Sequence, residues 1–530
     1  MNQPSLSNAA MLFPALLAGC AGQVKNDQEP ARPNIIFILS DDHDRQAISA
    51  YGGNLNKTPN IDRLAREGML FRNCFVTNSI SGPSRAVLLT GKHSHMNGFR
   101  QNEAERFDSS QMTFPKLFRE AGYQTAIVGK WHLESQPMGF DYWNILPGQG
   151  SYYNPDFIDN GNKVRIPGYV TDITMDLALQ WMNSRQQDRP FMLMIHNKAP
   201  HRNWEPALRD LELYDSTDIP EPGTLFDDYT GRGRAAREQE MTILNHMWPV
   251  GDLKVQPEVA EKLAIPGWRI NPEKTYEAVT GRMSQEEKAR FTAHYRKRDS
   301  LLLVQNPKGK EMLRWKYQQY IKDYLRCIHA VDDNVGRLLH YLDSTGLSKN
   351  TIVVYASDQG FYLGNHGWFD KRFMYEESMS TPFIVRWPGV TTGDECDAMV
   401  QNLDWAETLL DMAKIDIPRD MQGLSLTSLL RQEKNELNRD ELYYHYYEFP
   451  LWHHVYPHLG IRTKDYKLMY FYTINEWEFY DLKNDPNEMQ NGMNNLVYKW
   501  EIESMKQRLV KAAERYGDEE AVKVFPEEAN

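Results

Sequence analysis

The chain is predicted to fold as an α/β sandwich around a large, mostly parallel central sheet, followed by a smaller C-terminal α+β portion with a short antiparallel sheet. Three observations predict this. Short, continuous apolar runs recur along the chain, as expected of strands covered on both faces. Helical patterns fall between them. After about residue 435 the pattern changes to short aromatic-rich segments and one closing helix.

Taken in order, the first feature is the apolar run Ala9–Ala18, which ends in Leu16-Leu17-Ala18-Gly19-Cys20. It is too short to span a bilayer and reads as the hydrophobic region of a signal peptide. Its ending resembles a bacterial lipobox, in which the cysteine is lipidated, although Met1–Ala9 carries no Lys or Arg. Residues 1–20 are therefore expected to be a signal peptide with lipobox, and 21–32 a polar tether. The chain is expected to be exported, to the periplasm or the outer membrane, with a lipid anchor as its only membrane contact.

Four apolar runs then end in chemically capable residues. Asn34–Leu39 ends in Ser40-Asp41-Asp42-His43 and Gln124–Val128 in Gly129-Lys130-Trp131-His132. Phe191–Ile195 ends in His196-Asn197-Lys198-Ala199-Pro200-His201, and Thr351–Ala356 in Ser357-Asp358-Gln359-Gly360. Pro382–Arg386 is a further run. Helical patterns lie at Ile61–Glu67, Phe114–Ala121, Thr171–Asn183 and Ile321–Leu342. In such sheets ligands bind beyond the carboxyl ends of the strands, where the four polar tips would meet.

Arg202 to about Glu311 is polar and charged, with a surface helix expected over Arg282–Arg298. It reads either as a cover over the active face or as a surface elaboration. Beyond about Asn435, strands are expected at Glu441–Glu448, Leu459–Arg462, Tyr466–Tyr472 and Trp477–Leu482, and a helix at Asn495–Arg515. The expected division is 33–435 and 436–530.

Composition narrows the function. With 60 Lys and Arg against 72 Asp and Glu, the net charge of −12 argues against a nucleic-acid partner. A polyanionic substrate would have to be met by a local cationic pocket. The four cysteines, at 20, 74, 327 and 396, follow neither a zinc nor a disulfide pattern.

The most specific stretch is Ser79–Gly91, Ser-Ile-Ser-Gly-Pro-Ser-Arg-Ala-Val-Leu-Leu-Thr-Gly. Pro83 suits a first helical turn. Ser81 would then sit at a helix N-terminus, where free N–H groups favour an anion. Arg85, one turn on, points a forked cation at the same place. Asp41 and Asp42 form one oxygen-rich pair, Asp358 and Gln359 another. Asp41-Asp42 alone would be read as a turn or cap, and the pairing with Asp358 and the Ser81 stretch reverses that. Crowded together, the carboxylates need a cation, and an all-oxygen set suits Ca²⁺, with Mg²⁺ second. Lys130 and His132 are read as alternate residues of an extended segment, facing one way.

The Ser81 stretch matches the signature Cys or Ser-x-Pro-Ser-Arg-x-x-x-hydrophobic-Thr-Gly, and the chain resembles the type I sulfatases. The resemblance implies an alkaline-phosphatase-like sandwich and conversion of Ser81 to formylglycine, whose hydrate attacks sulfur. The serine form resembles bacterial enzymes matured by an anaerobic sulfatase-maturating enzyme. Asp41, Asp42, Asp358, Gln359 and residue 81 match calcium ligands, with Gln359 departing from the usual Asn or His. Arg85, Lys130 and Lys371 match sulfate contacts. His132 matches the residue that assists formylglycine, and His201, with Lys371, the proton donor to the leaving oxygen. Phe479–Glu488 resembles the family's C-terminal signature.

Gly139–Phe157 and Gly360–Arg372 resemble the corresponding stretches of N-acetylglucosamine-6-sulfatases. This implies hydrolysis of the 6-O-sulfate of a terminal GlcNAc, in glycosaminoglycan or mucin breakdown. Asn365, Asp370, His453 and His454 are the candidate sugar contacts. Two alternatives stand beside this: a sulfatase for another sugar position or a phosphoester hydrolase of the same superfamily, and an inactive glycan-binding surface lipoprotein.

Overall fold

The computed structural model describes residues 32–102, 105–268 and 271–526. The expected signal peptide, lipobox and nearly all of the tether lie outside the described residues. Pro33–Asn530 forms one compact unit.

Among the described residues, sixteen strands make up the sheets. In chain order, β1 is Asn34–Ser40, β2 Met69–Phe71, β3 Cys74–Phe75, β4 Gln124–Lys130, β5 Tyr142–Leu146, β6 Asp156–Asp159, β7 Asn162–Arg165 and β8 Phe191–His196. They are followed by β9 Thr351–Ser357, β10 Phe383–Arg386, β11 Asp394–Cys396, β12 Val400–Gln401, β13 Leu442–Tyr446, β14 His458–Arg462, β15 Tyr466–Phe471 and β16 Glu476–Asp481. The central sheet has ten strands in the order β11-β2-β10-β9-β1-β8-β4-β5-β6-β7. Its middle five, β9-β1-β8-β4-β5, are parallel.

β1, β4, β8 and β9 are buried along their whole length and mostly apolar because helices cover both faces. Ile36, Ile38, Val128, Leu193 and Val353 face one core layer, with the helices Pro59–Glu67, Val170–Ser184 and Lys310–Ser344. Ile35, Phe37, Ile127, Met194 and Val354 face the other, with Phe114, Phe118 and Trp405. Successive strand residues thus alternate between two cores.

β10 differs from its parallel neighbours and runs antiparallel to β9. The connection from β9 makes no crossover over a sheet face. It stays at the carboxyl end, so the next strand starts there and runs back. β13-β14-β15-β16 form an antiparallel sheet, backed by the helix Lys499–Tyr516.

The stretch expected as cover or elaboration is largely packed. Trp204, Leu253, Val255 and Ile265 are buried against the helix Lys310–Ser344. Lys254 is buried there and holds Asp323 at 3.0 Å. The expected surface helix spans Gln285–Gln305, started by a reciprocal capping box between Ser284 and Glu287. No described helix is long and apolar enough to cross a membrane.

Candidate active site

Carboxyl ends of β1, β4, β8 and β9 deliver the site. Asp41 and Asp42 follow β1, and Asp358 and Gln359 follow β9, its parallel neighbour. Asp42 takes a left-handed backbone (φ 64°), which turns the chain so that its N–H donates to Asp358 Oδ1 at 3.1 Å. Ser81 opens the helix Ser81–Thr90, all of whose residues are buried. Its hydroxyl donates to Asp41 Oδ1 at 3.0 Å. Gln359 Nε2 lies 3.3 Å from Ser81 Oγ and 2.8 Å from Asp358 Oδ1, and also reaches Asp42.

Three buried cations close this nest. Arg85 donates through Nε and Nη2 to Asp358 Oδ2, at 3.1 and 3.0 Å. Lys130 ion-pairs with Asp41 Oδ2. Lys371 lies 2.7 Å from Asp42 Oδ1. Gly129 lets the end of β8 approach beside Lys130: its φ is +97°, and a Cβ there would sit 2.0 Å from the His196 carbonyl oxygen.

Burial would raise every one of these carboxyls, but the outcomes differ. Lys130, His201, Arg85 and Lys371 together hold Asp41 well below the usual carboxylate range. For Asp42, burial and the neighbouring carboxylates outweigh Lys371 and push it up. Asp358 is also pushed up, by burial and Asp41, against Arg85. Three carboxylates, an amide and a hydroxyl around one point therefore want further positive charge. Gln359 Oε1 is buried without a hydrogen-bond partner. With the Gln359 amide turned over, so that Oε1 takes the place Nε2 now holds, the donor set fits a hard divalent cation held by Asp41, Asp42, Asp358, Gln359 Oε1 and residue 81. Asp41, Asp42 and His201 also offer atoms within 4.8 Å of one another.

Lys371 and His201 connect the nest to a cleft of about 360 Å³. His201 Nδ1 lies 2.6 Å from the Arg202 carbonyl oxygen, so that nitrogen carries the proton. Nε2 then faces Asp42 Oδ2 at 3.9 Å. Burial, and then Lys130, hold His201 well below the usual imidazole range. Lys371 is instead held above its ordinary range: burial lowers it, but Asp42, Asp370 and Asp41 outweigh that.

Lys130 and His132 do converge, though not by strand alternation. β4 ends at Lys130, and His132 has a left-handed backbone (φ 55°). Gln149, which the sequence reading missed, bridges the two. Its Oε1 accepts from Lys130 at 2.6 Å, and its Nε2 meets His132 Nε2 at 3.1 Å. Lysine only donates, so the amide oxygen must face Lys130 and the amide N–H must face His132. His132 Nε2 is thereby the unprotonated nitrogen. Gln149 follows β5, itself parallel to β4, and a polar residue beyond a strand end was the available signal.

The cleft is further lined by Asn102, Tyr153, Arg202, Asn203, Trp248, Arg282, Asp370, Arg372, Glu448, Trp452 and His453. Of the sugar-contact candidates, Asp370 and His453 line it and face each other at 3.3 Å. Asn365 and His454 do not line it. Asn365 accepts from the Leu363 N–H at 3.2 Å and lies against Gln46, because the tight turn at Gly364 needs its side chain locally. His454 packs on Phe449 and Tyr456. The Arg202–Glu311 stretch supplies one wall, through Arg202, Asn203, Trp248 and Arg282.

An α/β sandwich with a buried hydroxyl, a carboxylate nest and three cations defines a hydrolase of an anionic ester. The sequence profile described as Sulfatase matches residues 33–415, and that described as N-sulphoglucosamine sulphohydrolase, C-terminal, matches 364–515. The chain belongs to the sulfatase family and is a sulfuric ester hydrolase. It is 48% identical over 509 residues to an N-acetylglucosamine-6-O-sulfatase of Bacteroides thetaiotaomicron, covering 95% of this chain and 89% of that one. It is 28% identical to the human N-acetylglucosamine-6-sulfatase, over 84% of this chain and 72% of that one. A solved structure described as a complex with its substrate D-glucosamine-2-N,6-O-disulfate superposes with a TM-score of 0.88 at 48% identity, covering 93% of this chain and 99% of that one.

Proposed function

We propose that this chain removes the 6-O-sulfate from a GlcNAc residue at a glycan end, using formylglycine made from Ser81 and a bound Ca²⁺. The observation that carries the reading is spatial. Ser81, first residue of the signature, lies in the carboxylate nest, and Lys371 and His201 open that nest onto a cleft of about 360 Å³. That volume suits one sugar better than a threaded polymer. The 48% identity to a relative so named favours GlcNAc over other sugars.

Formylglycine at residue 81, once hydrated, would supply one hydroxyl to attack sulfur, its proton passing to a carboxylate of the nest, and a second to expel sulfate. Bound at Asp41, Asp42, Asp358 and Gln359, Ca²⁺ would polarise the attacking oxygen and offset sulfuryl charge. Arg85, Lys130 and Lys371 meet the charge on the sulfuryl oxygens. Lys371 arrives protonated and faces the leaving sugar oxygen as proton donor; His201, neutral with its lone pair on Nε2, can share that role only after it has itself taken up a proton. His132, neutral and with its lone pair on Nε2, accepts the proton as sulfate is expelled. Asp370 and His453 read the sugar ring. The wider proposal is an exported lipoprotein anchored through Cys20, matured by an anaerobic sulfatase-maturating enzyme and acting on host glycosaminoglycan or mucin, with 436–530 as a C-terminal subdomain.

The test is sulfate release by natively matured protein from GlcNAc-6-sulfate and galactose-6-sulfate, with Ser81→Ala alongside. Mass spectrometry first checks that residue 81 has lost two hydrogens. Selective, Ser81-dependent release from GlcNAc-6-sulfate is expected. No release despite a confirmed formylglycine would overturn the sugar assignment.

A further inference from the structure

Lys371 sits in an unusual piece of backbone. Both flanking residues, Asp370 (φ 78°) and Arg372 (φ 96°), are left-handed without being glycine. Such a conformation persists only where the surroundings over-determine it. Here the clamps are visible. The Asp370 carbonyl accepts from the Tyr362 N–H at 2.8 Å. The Arg372 guanidinium bonds Tyr446 at 3.0 Å and Glu448 at 2.7 Å. The Arg372 carbonyl accepts from the Tyr444 hydroxyl at 2.6 Å.

The Tyr444 hydroxyl has a second partner. It accepts from the Ser79 N–H at 3.1 Å, two residues before Ser81. Tyr444 is fully buried in β13, and the N–H of the next residue, His445, bonds the Thr77 carbonyl at 3.0 Å. One hydroxyl of the small sheet therefore joins the segment that delivers residue 81 to the loop that delivers Lys371. Those segments are about 290 residues apart in sequence, a separation that chain connectivity alone cannot hold to a fraction of an ångström.

We infer that Tyr444 is a positioning residue for the reaction: through this shared hydroxyl it sets the spacing between the oxygen on residue 81 and the Lys371 ammonium. The inference rests on the reading above, in which residue 81 attacks and Lys371 assists the leaving oxygen. A sugar alkoxide is a poor leaving group and depends on a well-placed proton donor. A nitrophenolate leaves with little help. Loss of the clamp should therefore slow sugar ester hydrolysis more than aryl ester hydrolysis.

The experiment compares wild type, Tyr444→Phe and Tyr443→Phe on GlcNAc-6-sulfate and 4-nitrophenyl sulfate, with rates normalised to formylglycine content from mass spectrometry. Tyr443 is the control. It lies beside Tyr444 in the same strand, is fully buried, and bonds Asp518 at 2.8 Å. For Tyr444→Phe, kcat on the sugar sulfate should fall about 10- to 100-fold, as expected of a small misplacement at a reacting centre. KM should hold, the aryl sulfate should lose several-fold less, and Tyr443→Phe should keep the wild-type ratio of the two rates. An equal fall on both esters, or no fall, overturns the inference. If Tyr444→Phe does not fold, trifluorotyrosine at 444 keeps the ring and alters the hydroxyl's acidity; an unchanged ratio of the two rates then overturns it. Wild type without Ser81-dependent sulfate release would instead sink the underlying reading.

Discussion

Arg85 grips Asp358 with two nitrogens on one oxygen, Nε at 3.1 Å and Nη2 at 3.0 Å from Oδ2. The same guanidinium reaches the Lys130 carbonyl at 2.9 Å, so one side chain ties the helix of Ser81 to the ends of β9 and β4. Both partners are buried. Removing Arg85 would leave a buried carboxylate uncompensated, which costs about 3–5 kcal/mol. Arg85→Ala is therefore expected to lower the melting temperature as well as abolish sulfate release. Arg85→Lys should recover more stability than activity, because it keeps the charge and loses the fork. Thermal melts and kcat/KM of the two variants check this.

Cation removal should act on the fold as well as the chemistry. Asp41, Asp42 and Asp358 crowd one point, and burial and mutual repulsion already push Asp42 and Asp358 up. Dialysis against a chelator is expected to lower the melting temperature and abolish turnover, with Ca²⁺ restoring both better than Mg²⁺. A melting temperature indifferent to chelator and to added Ca²⁺ would contradict the donor set described above.

Trp452 stands at the cleft mouth, 45% exposed, near the Trp268 ring at 6.3 Å. An exposed indole beside a sugar-sized cleft offers an apolar face on which a sugar ring could stack. Trp452→Ala is expected to raise KM on the glycan substrate about tenfold while leaving kcat near wild type, the pattern of lost uniform binding. A matching fall in kcat would place Trp452 in the reaction instead.

Glu407 gives a pH prediction away from the site. It is buried, one carboxylate oxygen accepts from the Gly423 N–H at 2.7 Å, and the other has no partner. Burial, and then Asp404 beside it, push it up to about 8 from 4.5. A carboxyl raised on folding is protonated in the native state while the unfolded chain ionises. Its contribution is complete below about pH 4.5 and is lost as pH rises to about 8, with a slope of up to about 1.4 kcal/mol per pH unit. Glu407→Gln should flatten this part of the stability profile between pH 5 and 8, as read by urea unfolding. An unchanged slope would show that Glu407 titrates normally.

Much of the site was legible in the chain itself. The strand-end tips at Asp41, Lys130, His201 and Asp358, and the turn of helix at Ser81, follow from local patterns. Apolar runs of strand length, proline near a helix start and polar residues beyond strand ends need only neighbours in sequence to express themselves. A parallel sheet then gathers those tips at one end whatever the loop details.

What the tertiary structure alone decided was which side chains meet. Lys130 and His132 reach Gln149 through a left-handed turn, not through strand alternation. Asn365 and His454, close in sequence to cleft residues, serve local turns and packing. Gln149, Trp248 and Arg282 join the cleft from separate elements, and Tyr444 ties Ser79 to Arg372 across some 290 residues. Helical turns, caps and hydrophobic periodicity are local, so a sequence displays them. Orientation at a site is set by packing between distant segments, and only the folded chain contains that.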